Sequence, residues 1–219
     1  MVALIYCRSG GGKTVCSTLV NGKKNLLLCS DNSEVVLNNF ERPNLTINKI
    51  THCVPEDVSD STSFMRYAEN AAEQGYDNII IDNLSDLFDM WILELEEKKN
   101  SKDRRQDYQL VYNQLKRLVR KATMFKCNVI FTAWQETRQL VTPDGTPYVN
   151  TMPKLPEKIL DNVCGLCNVV GYVTHGVDKQ GNMRWWYVTK PTKEFYAKDQ
   201  LFNREAVLPE LLFEKGAQK

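Results

Sequence analysis

The octapeptide Cys7-Arg-Ser-Gly-Gly-Gly-Lys-Thr14 constrains this chain more than any other segment. It follows an apolar run, Met1-Val-Ala-Leu-Ile-Tyr6, and precedes a helical pattern over Val15 to Val20. A strand, a glycine-rich turn ending in Gly-Lys-Thr and a helix are the context of a phosphate-binding loop, G-x-x-x-x-G-K-[ST]. Small residues are needed there because consecutive backbone N–H groups must turn inward around phosphate oxygens. The amides of Ser9, Gly10, Gly11, Gly12, Lys13, Thr14 and Val15 are the candidate cradle. Lys13 would meet the β- and γ-phosphates of ATP and the Thr14 hydroxyl would hold Mg2+. One departure stands out: Cys7 occupies the place of the first glycine, where a small residue is tolerated if its backbone stays at negative φ. The alternative is a glycine-rich turn that merely joins strand to helix.

A second constellation agrees with the first. Ile79-Ile-Ile-Asp82 is an apolar strand ending in a carboxylate, the form of a Walker B segment in which Asp82 holds Mg2+ through water. The segment Ser30-Asp-Asn-Ser-Glu34 follows another strand, so Asp31 and Glu34 are candidates to orient the attacking water, or else are a polar loop with a capping aspartate. The strand 128–133 delivers Gln135 to the same rim, where it would sense the γ-phosphate. Open α/β sheets bind ligands at that carboxyl-end rim.

Short apolar runs alternate with helical patterns, which points to an α/β fold with a mainly parallel central sheet flanked by helices. Strands are expected near 2–6, 25–30, 46–50, 78–82 and 127–132, and helices over 61–74 and 106–122. Apolar segments at 166–174 and 184–189 flank Asp178 to Asn182 and predict an antiparallel hairpin at the C-terminal edge of the sheet. A length of 219 residues suits one domain over 1–219. The polar stretch 96–105 and the proline-punctuated stretch 135–156 are expected to be mobile loops, the second with a small hairpin at Asp144-Gly145.

The balance of 28 Lys plus Arg against 27 Asp plus Glu gives no overall field toward nucleic acid or anionic membrane, so DNA binding would need a local patch. Basic residues cluster at Lys98, Lys99, Lys102, Arg104 and Arg105 and recur at Lys116, Arg117, Arg120 and Lys121. Trp134, Arg138 and Tyr148 offer aromatic and basic groups nearby. No apolar run approaches the ~20 residues that cross a bilayer. The apolar start lacks a basic leader region, and seven irregularly spaced cysteines fit a reducing cytoplasm. Cys164-Gly-Leu-Cys167 has metal spacing without a second pair, and the two histidines, His52 and His175, have no evident partner.

The order of these parts resembles a known family. The phosphate loop, Ile-Ile-Ile-Asp-Asn-Leu-Ser, Val-Ile-Phe-Thr-Ala-Trp-Gln-Glu, Leu-Pro-Glu-Lys, and Arg-Trp-Trp-Tyr-Val-Thr-Lys-Pro before Ala-Lys-Asp together resemble the phage-encoded P-loop nucleotide-binding proteins, RecA-like core ATPases that include Sak-type single-strand annealing recombinases. The resemblance implies Mg·ATP binding and action on single-stranded DNA beside a single-strand-binding protein. It also implies a homo-oligomer, ring or filament, in which a basic residue of one subunit reaches its neighbour's ATP. Lys198 lies in the matching Ala-Lys-Asp element, but Gln200 stands where the family often has Arg, so Lys190 and Arg204 are also candidates for that finger. Two other classes share the phosphate loop: a small-molecule or nucleotide kinase, and a non-hydrolysing nucleotide-gated adaptor.

Overall fold

A computed structural model describes residues 1–49, 61–98, 104–178 and 180–215. The chain opens with strand β1 (Val2–Cys7), the phosphate loop and a short helix α1 (Lys13–Ser17), then β2 (Asn25–Cys29), a 3-10 turn (Ser33–Asn39) and β3 (Leu45–Lys49). Helix α2 (Ser61–Glu73) leads into β4 (Asn78–Asp82), and α3 (Leu84–Lys98) and α4 (Arg104–Ala122) follow. The remainder holds β5 (Asn128–Val141), β6 (Pro147–Pro153), α5 (Glu157–Leu166), β7 (Val169–Val177), β8 (Met183–Val188), β9 (Lys198–Asp199) and β10 (Ala206–Val207). Among the described residues no helix is long and apolar enough to cross a membrane. His52, Cys53, Lys99 and Lys102 lie outside the described residues.

The main sheet runs β10-β8-β7-β1-β5-β4-β2-β3, and the block from β7 to β3 is parallel. Its central strands are buried on both faces, which is why they read as unbroken apolar runs in the sequence. Along β1, Val2, Leu4 and Tyr6 enter the core beneath α3, α4 and α5, while Ala3, Ile5 and Cys7 enter the opposite core with Val15 and Cys16 of α1. Strand β5 lies between the phosphate-loop strand β1 and the Asp82 strand β4. The predicted C-terminal hairpin is present: β7 pairs antiparallel with β8 and joins the parallel block through β1, with the two-residue β10 beyond β8.

At the opposite ends of the parallel strands, Asn25, Asn78 and Asn128 stand in register on β2, β4 and β5. Their side chains form a ladder: Asn128 donates to Asn78 (3.0 Å), Asn78 to Asn25 (2.8 Å), and Asn25 to the Val20 carbonyl (3.2 Å). Asn78 is fully buried, so each amide needs these partners to offset its lost hydration.

The segment 135–156 is not the loop expected from its prolines. Strand β5 continues past the sheet to Val141 and pairs antiparallel with β6, from Gln135 opposite Pro153 to Val141 opposite Pro147. Pro147 and Pro153 fall at the two ends of β6, where a missing N–H breaks no interior ladder, while Pro143 lies in the turn and Pro156 stands at the N-cap of α5. The hairpin turn at Asp144-Gly145 is present, with Gly145 at φ +85° and its N–H donating to Thr142 O (2.9 Å). In the other polar stretch, α3 extends to Lys98 and α4 begins at Arg104, and residues 99–103 lie outside the described range.

Candidate functional site

The parallel strands all point their carboxyl ends at one rim, and a cleft of about 510 Å3 opens there. The phosphate loop contributes Ser9, Gly10, Gly12, Lys13, Thr14 and Val15 to its wall. The end of β2 contributes Asp31, Asn32, Ser33 and Val36, and the end of β4 contributes Asp82. Trp134 from β5 and Trp185 from β8 complete it.

Local chemistry explains the loop's shape. Gly10 and Gly12 adopt positive φ (+71° and +90°), a region that side chains disfavour. Gly12 has a second reason to be glycine, since a Cβ there would lie 2.4 Å from the Trp185 ring. Cys7, in the place of the first glycine, is buried with its Sγ against Gly11. Burial pushes the Cys7 thiol up to about 11 against the opposing pull of Lys13, so it sits under the loop as a neutral small group.

Asp82 is the centre of the polar network. Its buried carboxylate accepts hydrogen bonds from Thr14 Oγ1 (2.5 Å), Ser33 Oγ (2.9 Å) and Thr132 Oγ1. Burial raises its pKa above the ordinary carboxylate value and the three hydroxyl donors work against that rise. Thr132 reaches it because β5 is the strand beside β4. Asp31 is held close by: its Oδ1 accepts the Ser33 N–H (2.9 Å) and its Oδ2 accepts the Asn83 side-chain amide (3.1 Å). Asn83 in turn caps α3, its Oδ1 accepting the Asp86 N–H (2.7 Å). Ser33 therefore touches both carboxylates, Asp82 through its hydroxyl and Asp31 through its backbone.

Lys13, Thr14, Asp31 and Asp82 thus converge on one cleft. Glu34 does not join them: it is buried in the 3-10 turn, whose geometry turns Ser33 and Val36 toward the cleft instead. Gln135 is likewise absent from the wall, because β5 presents Trp134 there and pairs Gln135 with Pro153 of β6. All three expected fingers have partners within the chain, and two of them hold backbone carbonyls. Lys198 Nζ donates to the Cys164 and Gly165 carbonyls near the end of α5 (2.7 and 3.2 Å). Arg204 bonds Asp199 Oδ2 (2.6 Å) and the carbonyls of Leu211, Leu212 and Glu214. Lys190, the third, is exposed and pairs with Glu205. Cys164 and Cys167 are buried in the core with thiols raised by burial.

Sequence reasoning missed Ser33, Val36 and Trp185. Ser33 was visible only as part of a polar run, and nothing in residue spacing links Trp185 to a loop at the other end of the chain.

Hard oxygen donors at Thr14 and Asp82 beside a glycine arc suit Mg2+ with a polyphosphate, since Mg2+ is commonly held by one or two protein oxygens together with substrate phosphates. Fold and site together define a P-loop domain of the α/β class. The family model for AAA_24, an AAA domain, matches residues 1–201, and the chain belongs to that family. No curated protein sequence matches the chain significantly. Among solved structures it is similar to a KaiC-like protein of the hyperthermophilic archaeon Pyrococcus horikoshii OT3, with 12% identity, a TM-score of 0.52, and coverage of 85% of this chain and 77% of that one. It is also similar to an ATPase of the type III secretion system of pathogenic bacteria, with 14% identity, a TM-score of 0.51, and coverage of 79% of this chain and 51% of that one. At such identities the likeness is one of fold.

Proposed function

We propose that the chain hydrolyses Mg·ATP and acts on single-stranded DNA as a homo-oligomer, in recombination, annealing or replication. The observation that carries the nucleotide part is the 2.5 Å hydrogen bond from Thr14 to the buried Asp82 carboxylate beneath a glycine-rich loop. In this reading the amides of residues 9–15 bind the triphosphate and Lys13 neutralises its β- and γ-oxygens. Thr14 and Asp82 hold Mg2+, which when bound supplies further charge neutralisation at the terminal phosphates. Asp31 orients the attacking water and takes up its proton. Water attacks the γ-phosphorus, the bond to the β–γ bridging oxygen breaks, and ADP and phosphate leave. Ser33 and Asn83 fix Asp31 so that no reorganisation is needed as charge develops.

The DNA part draws on the resemblance in motif order to phage single-strand annealing proteins. The exposed Arg117 and Arg120 on α4 give it a basic surface. Of the residues expected to stack or pair with DNA, Trp134 belongs to the nucleotide cleft and Arg138 pairs with Glu136 and the Leu155 carbonyl. Lys190 is the finger candidate best exposed for a neighbour.

The test is phosphate release from Mg·ATP by wild type and Lys13→Ala, with and without single-stranded DNA, together with native mass spectrometry. Turnover stimulated by DNA in an oligomer, and lost in Lys13→Ala, is the expected result. Turnover or assembly indifferent to DNA would refute the DNA role. Phosphate transferred to a small acceptor would replace hydrolysis with a kinase activity, and ATP binding without turnover would leave an adaptor.

A further inference from the structure

The cleft has two sides, divided by the phosphate-loop strand β1. Asp82 stands at the end of β4 and Asp31 just beyond β2, both on the β5 side of β1 in the sheet order. Trp185 stands on β8, on the β7 side of β1, and its indole covers Gly12 so closely that a Cβ there would meet ring atoms at 2.4 and 2.6 Å. A triphosphate lying in the loop with its terminal end toward the carboxylates must send its nucleoside the other way, toward β7 and β8.

We propose that Trp185 is the stacking platform for the nucleobase of the nucleoside triphosphate bound by the phosphate loop. This inference rests on the nucleotide-binding reading above. Trp185 is built for the task. It lies partly exposed in the cleft wall while packing against the buried cluster that holds Val15, Cys16 and the fully buried Tyr187. His175, its cross-strand neighbour, sets its ring edge-on at 5.4 Å and 64°. A large π-face held in place offers stacking with little conformational cost, and it accepts any base because every base has a π-face. The other aromatic in the wall, Trp134, is placed differently. It leaves β5 on the carboxylate side of β1, and the Lys154 ammonium lies 5.0 Å from its ring centroid.

Calorimetric titration of the full chain with Mg·ATP and with Mg·tripolyphosphate separates the base contact from the phosphate contacts. Trp185→Ala is expected to weaken ATP binding about tenfold or more, the scale of a base–aromatic stack, and to leave tripolyphosphate binding unchanged. Trp185→Phe should retain most of the ATP affinity. Equal weakening of both ligands in Trp185→Ala would show that the indole only props the loop, and would overturn the proposal, as would no weakening of either. Should Trp185→Ala fail to fold, indole fluorescence decides: ATP but not tripolyphosphate should quench wild type, and the quench should vanish in Trp185→Phe. A quench that survives in Trp185→Phe would overturn the proposal. If wild type binds neither ligand, the nucleotide-binding reading itself fails, and Lys13→Ala marks that case by matching wild type for both.

Discussion

Ser33 connects the two acids of the cleft, donating its hydroxyl to Asp82 and its backbone N–H to Asp31. Because the backbone N–H survives in Ser33→Ala, the loss falls on Asp82 through the hydroxyl and on Asp31 only through altered turn geometry. A hydrogen bond to a charged group contributes about 1.5–3 kcal/mol. Ser33→Ala is therefore expected to lower kcat roughly tenfold to a hundredfold with little change in the KM for ATP, and Ser33→Thr to restore much of it. Steady-state phosphate release at saturating Mg2+ checks this, and a wild-type kcat in Ser33→Ala would count against it. Lys13, Thr14 and Asp82 could be read from the sequence because each sits at a fixed offset from a strand end or a glycine run. Ser33 and Trp185 could not, since their roles depend on a turn geometry and on a strand pairing that no local spacing encodes. Arg204 shows the converse: an arginine near the C-terminal end invites a functional reading until its guanidinium is found bonded to Asp199 and three carbonyls.

Strands β1, β2 and β4 follow the expected boundaries closely because a parallel strand buried on both faces needs an uninterrupted apolar run. Helices α2 and α4 also match their predicted spans, as amphipathic spacing is a local property. The order of strands is another matter. That β5 lies between β1 and β4, placing Thr132 beside Asp82, is a long-range pairing with no sequence signature. The turn of the β5–β6 ribbon at Asp144-Gly145 was legible but its length was not, for a related reason: its prolines signal a loop locally, whereas cross-strand pairing satisfies the backbone they flank. The asparagine ladder belongs to this scale as well, since three polar residues at the starts of three strands look like ordinary turn residues until the strands align. Asn78→Ala removes its central rung and strips Asn25 and Asn128 of a buried partner. A loss of about 1–3 kcal/mol is expected, and at this chain length each kcal/mol lowers Tm by roughly 2–4 °C. Thermal denaturation checks it, with phosphate release per folded molecule unchanged because the ladder lies at the opposite end of the strands from the cleft. An unaltered Tm would mean that the ladder contributes nothing net.

At the level of the whole molecule, a parallel sheet that aims its strand ends at one rim brings an N-terminal loop, a mid-chain carboxylate and a late tryptophan into one cleft. The class was legible because a phosphate loop must sit between strand and helix, and membership of the AAA_24 family agrees with it. The substrate polymer and the assembly were not legible in the same way, since they depend on surfaces and on neighbouring copies rather than on the geometry of one cleft. The central claim, that this cleft is a Mg·nucleotide site with its catalytic acids on one side and its base platform on the other, is tested most directly by a crystal structure with Mg2+ and a non-hydrolysable ATP analogue. The account predicts the triphosphate wrapped by the amides of residues 9–15, the metal beside Thr14 and Asp82, Asp31 facing the γ-phosphate and the base against Trp185. A nucleotide bound elsewhere, or one whose base lies on the carboxylate side of β1, would contradict it.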